Sequence, residues 1–342
     1  MKQIRLNRRS FIAAAAYAAA TAARPALAGE EGSDVLPSPP DAGSRIALVG
    51  DFGYRQYEAR DLPSGTIVDA TAASFSLANS RNAHPMPGAG CEVGRLPLNA
   101  YPVVMRNCPS VRFVGGRFAG EVPLSSAWRE TYCNSAALLL RDGSSASMIE
   151  GVRVRRCWDG VRFSEGTQDF RLRGCWLSDV RDDAVENDYL YGGAIEDCLF
   201  DGCFSGISLD PGSKERDGSD RLLAVEDCLI LMKPFPTERG VSHGSPFKTA
   251  DGSPRLRLVG TVLALSAANM RRRRLKRTWA RLTECRDNLL LWLPQTPIPR
   301  DFPLPPSGFE VVAGEAAYQL WDRLRRSWID SHPRVARFQD DV

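Results

Sequence analysis

Four carboxylic acids fall within seven residues, at Asp182, Asp183, Glu186 and Asp188, and a fifth, Asp159, precedes the first by 23. Carboxyls brought to about 5 Å cannot both ionise freely, so one pKa rises. A raised carboxyl can protonate a glycosidic oxygen while an ionised partner activates water. Asp159, Asp182, Asp183 and Glu186 are therefore the candidate catalytic groups. Oxygen-rich clusters also suit calcium, the one cofactor this composition admits; no other metal site or cofactor is expected. His243, in Gly240-Val241-Ser242-His243-Gly244-Ser245, is a peripheral candidate, one of three histidines in the chain. Arg162, Trp176, Tyr189 and Tyr191 are candidates for substrate binding, the guanidinium by charge and the rings by stacking on sugars, and Trp158 joins them. The same acids also suit a structural role. Asp makes side-chain-to-backbone turns, and Arg162 with Glu186 would form an ion pair of small worth at a surface.

Those residues need a scaffold that stacks them. A six-residue pattern recurs at Phe113, Ile149, Leu172, Ile195, Val225 and Leu258, with a weaker copy at Leu282. Leu172-Arg173-Gly174-Cys175-Trp176-Leu177 is typical: apolar residues or Cys at the first, fourth and sixth places, Gly or Asp at the third. The starts are 36, 23, 23, 30, 33 and 24 residues apart. Units of that length cannot bury their own faces and must stack on copies of themselves. A second strand follows each start by about twelve residues: Asp159-Gly160-Val161, Asp183-Ala184-Val185, Ser205-Gly206-Ile207 and Arg239-Gly240-Val241. The runs are too short for helical repeats and rich in strand formers. Neighbouring coils sit about 4.8 Å apart, which puts Asp159 beside Asp183 and Arg162 beside Glu186.

This double register resembles the right-handed parallel β-helix proteins of the pectin lyase-like superfamily over roughly residues 103–293. The resemblance implies an all-β solenoid. It also implies a polysaccharide partner, acidic in many members, with a hydrolase or lyase activity or a non-catalytic module that binds glycans or a surface partner. Cys157-Trp158-Asp159-Gly160 and Asp182-Asp183 resemble two consecutive segments of the polygalacturonase-type glycoside hydrolases. The histidine and lysine of that family's later segments are absent, since Phe204-Ser205-Gly206 and Glu238-Arg239-Gly240 stand there.

The first 28 residues read as an export signal. Asn7-Arg8-Arg9-Ser10-Phe11-Ile12 resembles a twin-arginine motif, an Ala-rich run follows, and Ala26-Leu27-Ala28 is a cleavage pattern. The expected location is periplasmic or secreted, with no stable membrane span after cleavage. The signal carries five cations and no acid; removing them from 44 basic residues leaves 39 against 41 acids. The basic balance of the whole chain therefore gives no ground for a nucleic-acid partner.

Residues 29–44 read as a linker, 45–293 as the β-helix with regular coils from about 103, and 294–342 as a Pro-rich segment with a helix from about Gly314 to Ser331. Ala317, Leu320, Trp321, Leu324 and Trp328 form its apolar stripe. Residues 79–99 read as a long loop. The run from Arg271 to Arg277 reads as a charged loop suited to an anionic surface. Cys175, Cys198 and Cys228 hold the fourth place of successive units, and Cys285 is assigned the same place. Such a column reads as buried thiols, with a disulfide between neighbouring coils geometrically allowed.

Overall fold

A computed structural model describes residues 44–77, 101–132, 134–212, 214–270 and 272–337. The export signal, most of the linker and the loop at 79–99 lie outside the described residues.

The chain winds into a right-handed parallel β-helix with three strands per coil. Two strand columns meet at a corner, as in Phe170–Arg173 followed by Trp176–Ser178. The corner falls at the third place of each six-residue unit, and Gly151, Gly174, Asp197, Asp227 and Gly260 there all have φ between 50° and 63°. Gly takes this left-handed conformation freely, and Asp is among the few other residues that tolerate it. The Gly-or-Asp rule of the repeat is thus a backbone requirement. Ile149, Leu172, Ile195, Val225 and Leu258 stack in register down the interior, all fully buried.

The third column is a seven-stranded parallel sheet running from Tyr57–Arg60 to Phe247–Thr249. Gly160 belongs to it. A Cβ there would lie 2.3 Å from Leu177 Cδ2 and 2.4 Å from the Ala184 carbonyl oxygen. The Asp-Gly-apolar pattern is therefore also a packing device. Among residues 45–102, Ile67–Leu77 pairs with Arg45–Asp51 on one side and with Arg112–Val114 and Arg117–Gly120 on the other, so coils begin well before 103.

Three assignments change. The last full corner is Arg286-Asp287-Asn288. Cys285 pairs with Leu258, the first place of its unit, and Asn288 takes the fourth. A further strand, Phe309–Ala313, pairs with Asn288–Trp292, which carries the solenoid past residue 293. Arg239-Gly240-Val241 is not a coil strand. It belongs to an antiparallel hairpin, Phe235–Thr237 with Gly240–Ser242, and Phe247–Thr249 takes its place beside Ser205–Leu209.

Helix α1 (Trp128–Thr131) lies in the longest interval between repeats. The basic run forms helix α2 (Arg272–Ala280), not a loop. It covers the open edge of the seven-stranded sheet, where Thr249 Oγ1 lies 3.2 Å from Thr278 Oγ1 and Thr278 Oγ1 donates to the Phe247 carbonyl. Covering an exposed edge blocks pairing with other chains. Three of its charges are paired within the chain: Arg272 with Asp301, Arg274 with Asp210 at 2.8 Å and Arg277 with Asp251 at 3.4 Å. No helix among the described residues is long and apolar enough to cross a membrane.

Helix α3 (Glu315–Ser331), continued by α4 (Pro333–Ala336), lays its apolar stripe on the outside of the solenoid. Leu320, Trp321, Leu324 and Trp328 pack on Trp176, Leu199, Leu229, Val262 and Leu291. Trp328 Nε1 donates to Asp197 at 3.0 Å, and His332 stacks on Trp328 and contacts Asp197 at 3.0 Å. Burial disfavours the charged His332 ring, but its bonds to Asp197 and the Trp328 carbonyl outweigh this and raise the pKa above 6.5. A histidine whose folded pKa is raised stabilises fully below its unfolded pKa and loses that contribution as pH rises through the folded value. Docking of α3 and α4 should therefore loosen as pH climbs above this titration, read as faster protease cleavage near the C-terminus. Rates equal across the window, or equal for His332→Gln and wild type, would contradict this.

Seven cysteines are described, all free thiols. Cys175, Cys198 and Cys228 donate to the Ile149, Leu172 and Ile195 carbonyls of the preceding coil, at 3.8, 3.6 and 3.4 Å. Burial raises the thiol pKa at Cys157, Cys198 and Cys203. A thiol reagent should leave these five unmodified in the native protein and label them in denaturant, as counted by mass spectrometry.

Candidate functional site

The acids collect on the outer face of the seven-stranded sheet. Its register aligns Arg162, Glu186, Ser208 and Lys248 on four successive strands. A second line runs through Asp159, Asp183 and Ser205, with the Asp183 N–H donating to Asp159 Oδ1 at 3.0 Å. Asp182 sits just before its strand, at the turn, and is half-buried. One carboxylate oxygen from each of Asp159, Asp182 and Asp183 lies within 4.8 Å of the others. Neighbouring coils bring Asp159 and Asp183 together as the strand spacing requires.

Cations are interleaved with these acids. Arg162 donates to Asp159 Oδ2 at 2.6 Å and pairs with Glu186 at 2.5 Å. It also donates to Tyr101 Oη at 2.8 Å and to Asn134 Oδ1. Lys248 Nζ donates to Asp183 Oδ2 at 2.9 Å, while Asp183 Oδ1 has no partner among the described residues. Asp188 accepts from Ser208 at 2.5 Å. The Lys248 ammonium already supplies a positive charge beside Asp183, in the position where a calcium ion would have to compete.

These environments separate the acids. Burial, then the charge of Asp183, push the Asp182 carboxyl up to about 7, against the pull of Lys248. Burial and the Glu186 charge push Asp188 up to about 6. Asp159 is raised well above the usual carboxylate range by burial and by Glu186. Burial opposes ionisation of Glu186 too, but the Arg162 guanidinium outweighs it and holds Glu186 below its ordinary value. Carboxyls pushed apart in pKa can be assigned different protonation roles. Burial works against the Lys248 charge, yet Asp183, Asp182 and Asp188 raise its pKa, and Glu186 does most to raise that of Arg162. Both cations are fixed in the protonated form.

An aromatic wall borders the acids. Trp128 neighbours Asp182, where it works against the rise in that carboxyl's pKa, and packs on Tyr132 and Trp158, with ring centroids 4.9 and 5.1 Å away. Trp128 and Tyr132 are half-exposed, whereas Trp158 is buried behind them. Neither Trp128 nor Tyr132 was singled out by the repeat pattern. The only sequence signal for them is the surplus length of the interval between the units at Phe113 and Ile149.

Other candidates are placed differently. Trp176 is not in the groove. It points outward from the adjoining column, but α3 covers that face and leaves it 2 % exposed. Arg162 is 8 % exposed and its two terminal nitrogens are engaged by the acids, Tyr101 and Asn134, so it lies beneath the surface acids, with Nε unpartnered among the described residues. Tyr189 and Tyr191 stack on each other at 5.8 Å, with Arg216 over Tyr189 at 3.4 Å and Arg221 over Tyr191 at 5.2 Å. Their rings already carry cations where a sugar would have to stack. His243 is buried beyond the hairpin, and burial lowers its pKa. Its Nδ1 lies 2.8 Å from the Gly244 carbonyl and so carries the proton, with the ring bonded to main chain and not to the carboxylates. Arg181 is enclosed by the hairpin, donating to the Pro236 and Ser126 carbonyls.

No protein-family model, curated protein or solved structure matches this chain. The fold is that of a parallel β-helix, and the carboxylate cluster on its seven-stranded sheet is the candidate site.

Proposed function

We propose that this chain is an exported glycoside hydrolase of the pectin lyase-like type, acting on a polysaccharide laid across the seven-stranded sheet. The carrying observation is Asp182: half-buried, with a carboxylate oxygen within 4.8 Å of those of Asp159 and Asp183, and raised to about 7. A carboxyl that is substantially protonated at neutral pH can donate to a glycosidic oxygen. Glu186, kept ionised by Arg162, is the partner that accepts a proton from water. Trp128 and Tyr132 offer ring faces for a sugar. Five carboxyls outnumber the cations Arg162, Lys248 and Arg181 that interact with them, which favours a neutral over an acidic polysaccharide. Hydrolysis is preferred to elimination on a specific ground. A lyase base of Arg or Lys type must lose its proton, and both cations here are driven the other way. The twin-arginine pattern at Arg8 and Arg9 and the cleavage pattern at Ala26 to Ala28 support export to the periplasm or beyond.

A second reading, a glycan-binding module without turnover, is favoured by Asp159 and Asp183. They are 1 % and 2 % exposed, and Asp159 accepts a backbone N–H, so both are occupied in holding coils together. A polysaccharide panel separates the readings when new reducing ends and absorbance from unsaturated products are followed together. Reducing ends alone are expected. Unsaturated products would replace hydrolysis with elimination, and binding with neither signal would leave the module.

A further inference from the structure

A cleft of about 740 Å³ lies where helix α3 meets the sheet column that contains Trp176–Ser178. The helix covers one half of this sheet face with apolar side chains and leaves the other half open. The cleft is lined by Arg153 and Arg155 on one strand, Trp176 and Ser178 on the next, and Asp201 on the third, all in register, with Trp176 also packed against the helix. At Gly202 the strand bulges with φ 86°, and Asp179 and Lys233 approach across that gap. Bulges of this kind often re-aim side chains next to binding sites.

The polar groups of this cleft do not balance. Asp179 is held by Lys233 at 2.6 Å, Asp201 by Arg325 at 2.8 Å, and Asp322 by Arg326. That neutralises all three carboxylates of the lining. Arg153 and Arg155 have no carboxylate within ion-pair distance among the described residues. Arg153 is buried, lies over the Trp176 ring at 4.1 Å and donates through one nitrogen to the Val154 and Trp176 carbonyls. Burial lowers its pKa to about 10, as expected for a guanidinium short of a counter-charge. Three buried polar atoms here lack partners: Arg153 Nε, Trp176 Nε1 and Ser178 Oγ. Two are obligate donors and the third is a hydroxyl, so together they call for an acceptor. Leaving buried donors unmade is costly, and three on adjacent strands of one cleft are rare unless something fills it. At the mouth, the Tyr318 ring is 56 % exposed.

We propose that this cleft binds a small oxyanion-bearing ligand of sugar size, its carboxylate, sulfate or phosphate group received by Arg153 and Arg155 and its ring resting on Tyr318. The site lies on a different sheet column from the acidic groove and does not depend on the hydrolase reading. Oxyanions suit guanidinium donors by geometry as well as by charge.

The test is an NMR titration of the full chain, following the indole N–H of Trp176, identified by its loss in Trp176→Phe. Sulfate, phosphate, glucuronate and glucose are the probes. The expected result is a saturable shift with the anions and none with glucose. Glucuronate should bind more tightly than sulfate or phosphate, and the preference should vanish in Tyr318→Ala. Arg155→Gln, at a half-buried position, should weaken anion binding by roughly tenfold or more, the worth of one charged hydrogen bond. Arg153→Gln should do the same if it folds. Saturable shifts by inorganic anions with no glucuronate preference would overturn the sugar part of the proposal. Absence of any shift, or shifts unchanged in Arg155→Gln, would overturn the site and leave water as the partner of the three atoms.

Discussion

Asp182→Asn is expected to lower hydrolysis by roughly 10²- to 10⁴-fold, the range supplied by a positioned acid or base, while leaving the fold intact. The amide keeps the shape, but it has no proton of the right acidity to give. Stability distinguishes this from a turn role. A carboxyl whose folded pKa is raised from 3.8 to about 7 makes the native state bind more protons than the unfolded chain across that window, so it costs stability as pH rises through it. Removing the carboxyl should flatten the pH dependence of unfolding over this interval and make the variant the more stable form above it. A variant that loses turnover and stability together would instead mark Asp182 as a structural turn residue. Retained turnover would take the donor role from it.

Arg162→Met should destabilise the protein by about 3–5 kcal/mol, the usual consequence of stranding buried charge by removing one partner. Asp159 and Glu186 share this guanidinium and have no other cation within ion-pair distance among the described residues. The penalty should shrink in acid, because Glu186, which Arg162 keeps ionised, can then take up a proton. It should also be partly relieved in Arg162→Met with Glu186→Gln, since the two changes act on one network and are not additive. Urea unfolding of the four members of this cycle gives the coupling directly. A single-variant cost below about 1 kcal/mol would place the cluster with solvated surface pairs.

The solenoid was readable because its two constraints are local. Left-handed φ at the corner restricts the third place to residues such as Gly174, Asp197 and Asp227, and the interior demands an apolar residue two places earlier. Stacking then followed from the period, which is why Asp159 beside Asp183 and Arg162 beside Glu186 could be read without coordinates. Where the period is interrupted, the reading slipped. Arg239-Gly240-Val241 has the right composition but sits in a hairpin, and the coil resumes only at Phe247. Cys285 was read three places out of register because its corner uses Asp287, after an insertion that builds α2. That helix was read as a loop, since only Leu275 and Thr278 of its nine residues are buried and no apolar stripe announces it.

The site was less legible than the fold. Which outward residues stay exposed depends on what the chain later lays over them. Trp176 alternates outward as expected, but the C-terminal helix returns to cover it. Trp128 and Tyr132, which border Asp182, lie in an insertion with no repeat to align. Lys248 is 65 residues from Asp183 and meets it only because the intervening chain completes two coils.

The most direct test of the groove as a neutral-pH proton donor is a carbon-13 NMR titration of the aspartate carboxyls in wild type and Asp182→Asn. The expected result is one carboxyl titrating near pH 7 that disappears in the variant. If every carboxyl lost in the variant titrates in the ordinary range near 4, Asp182 is no general acid, and the hydrolase proposal fails with it.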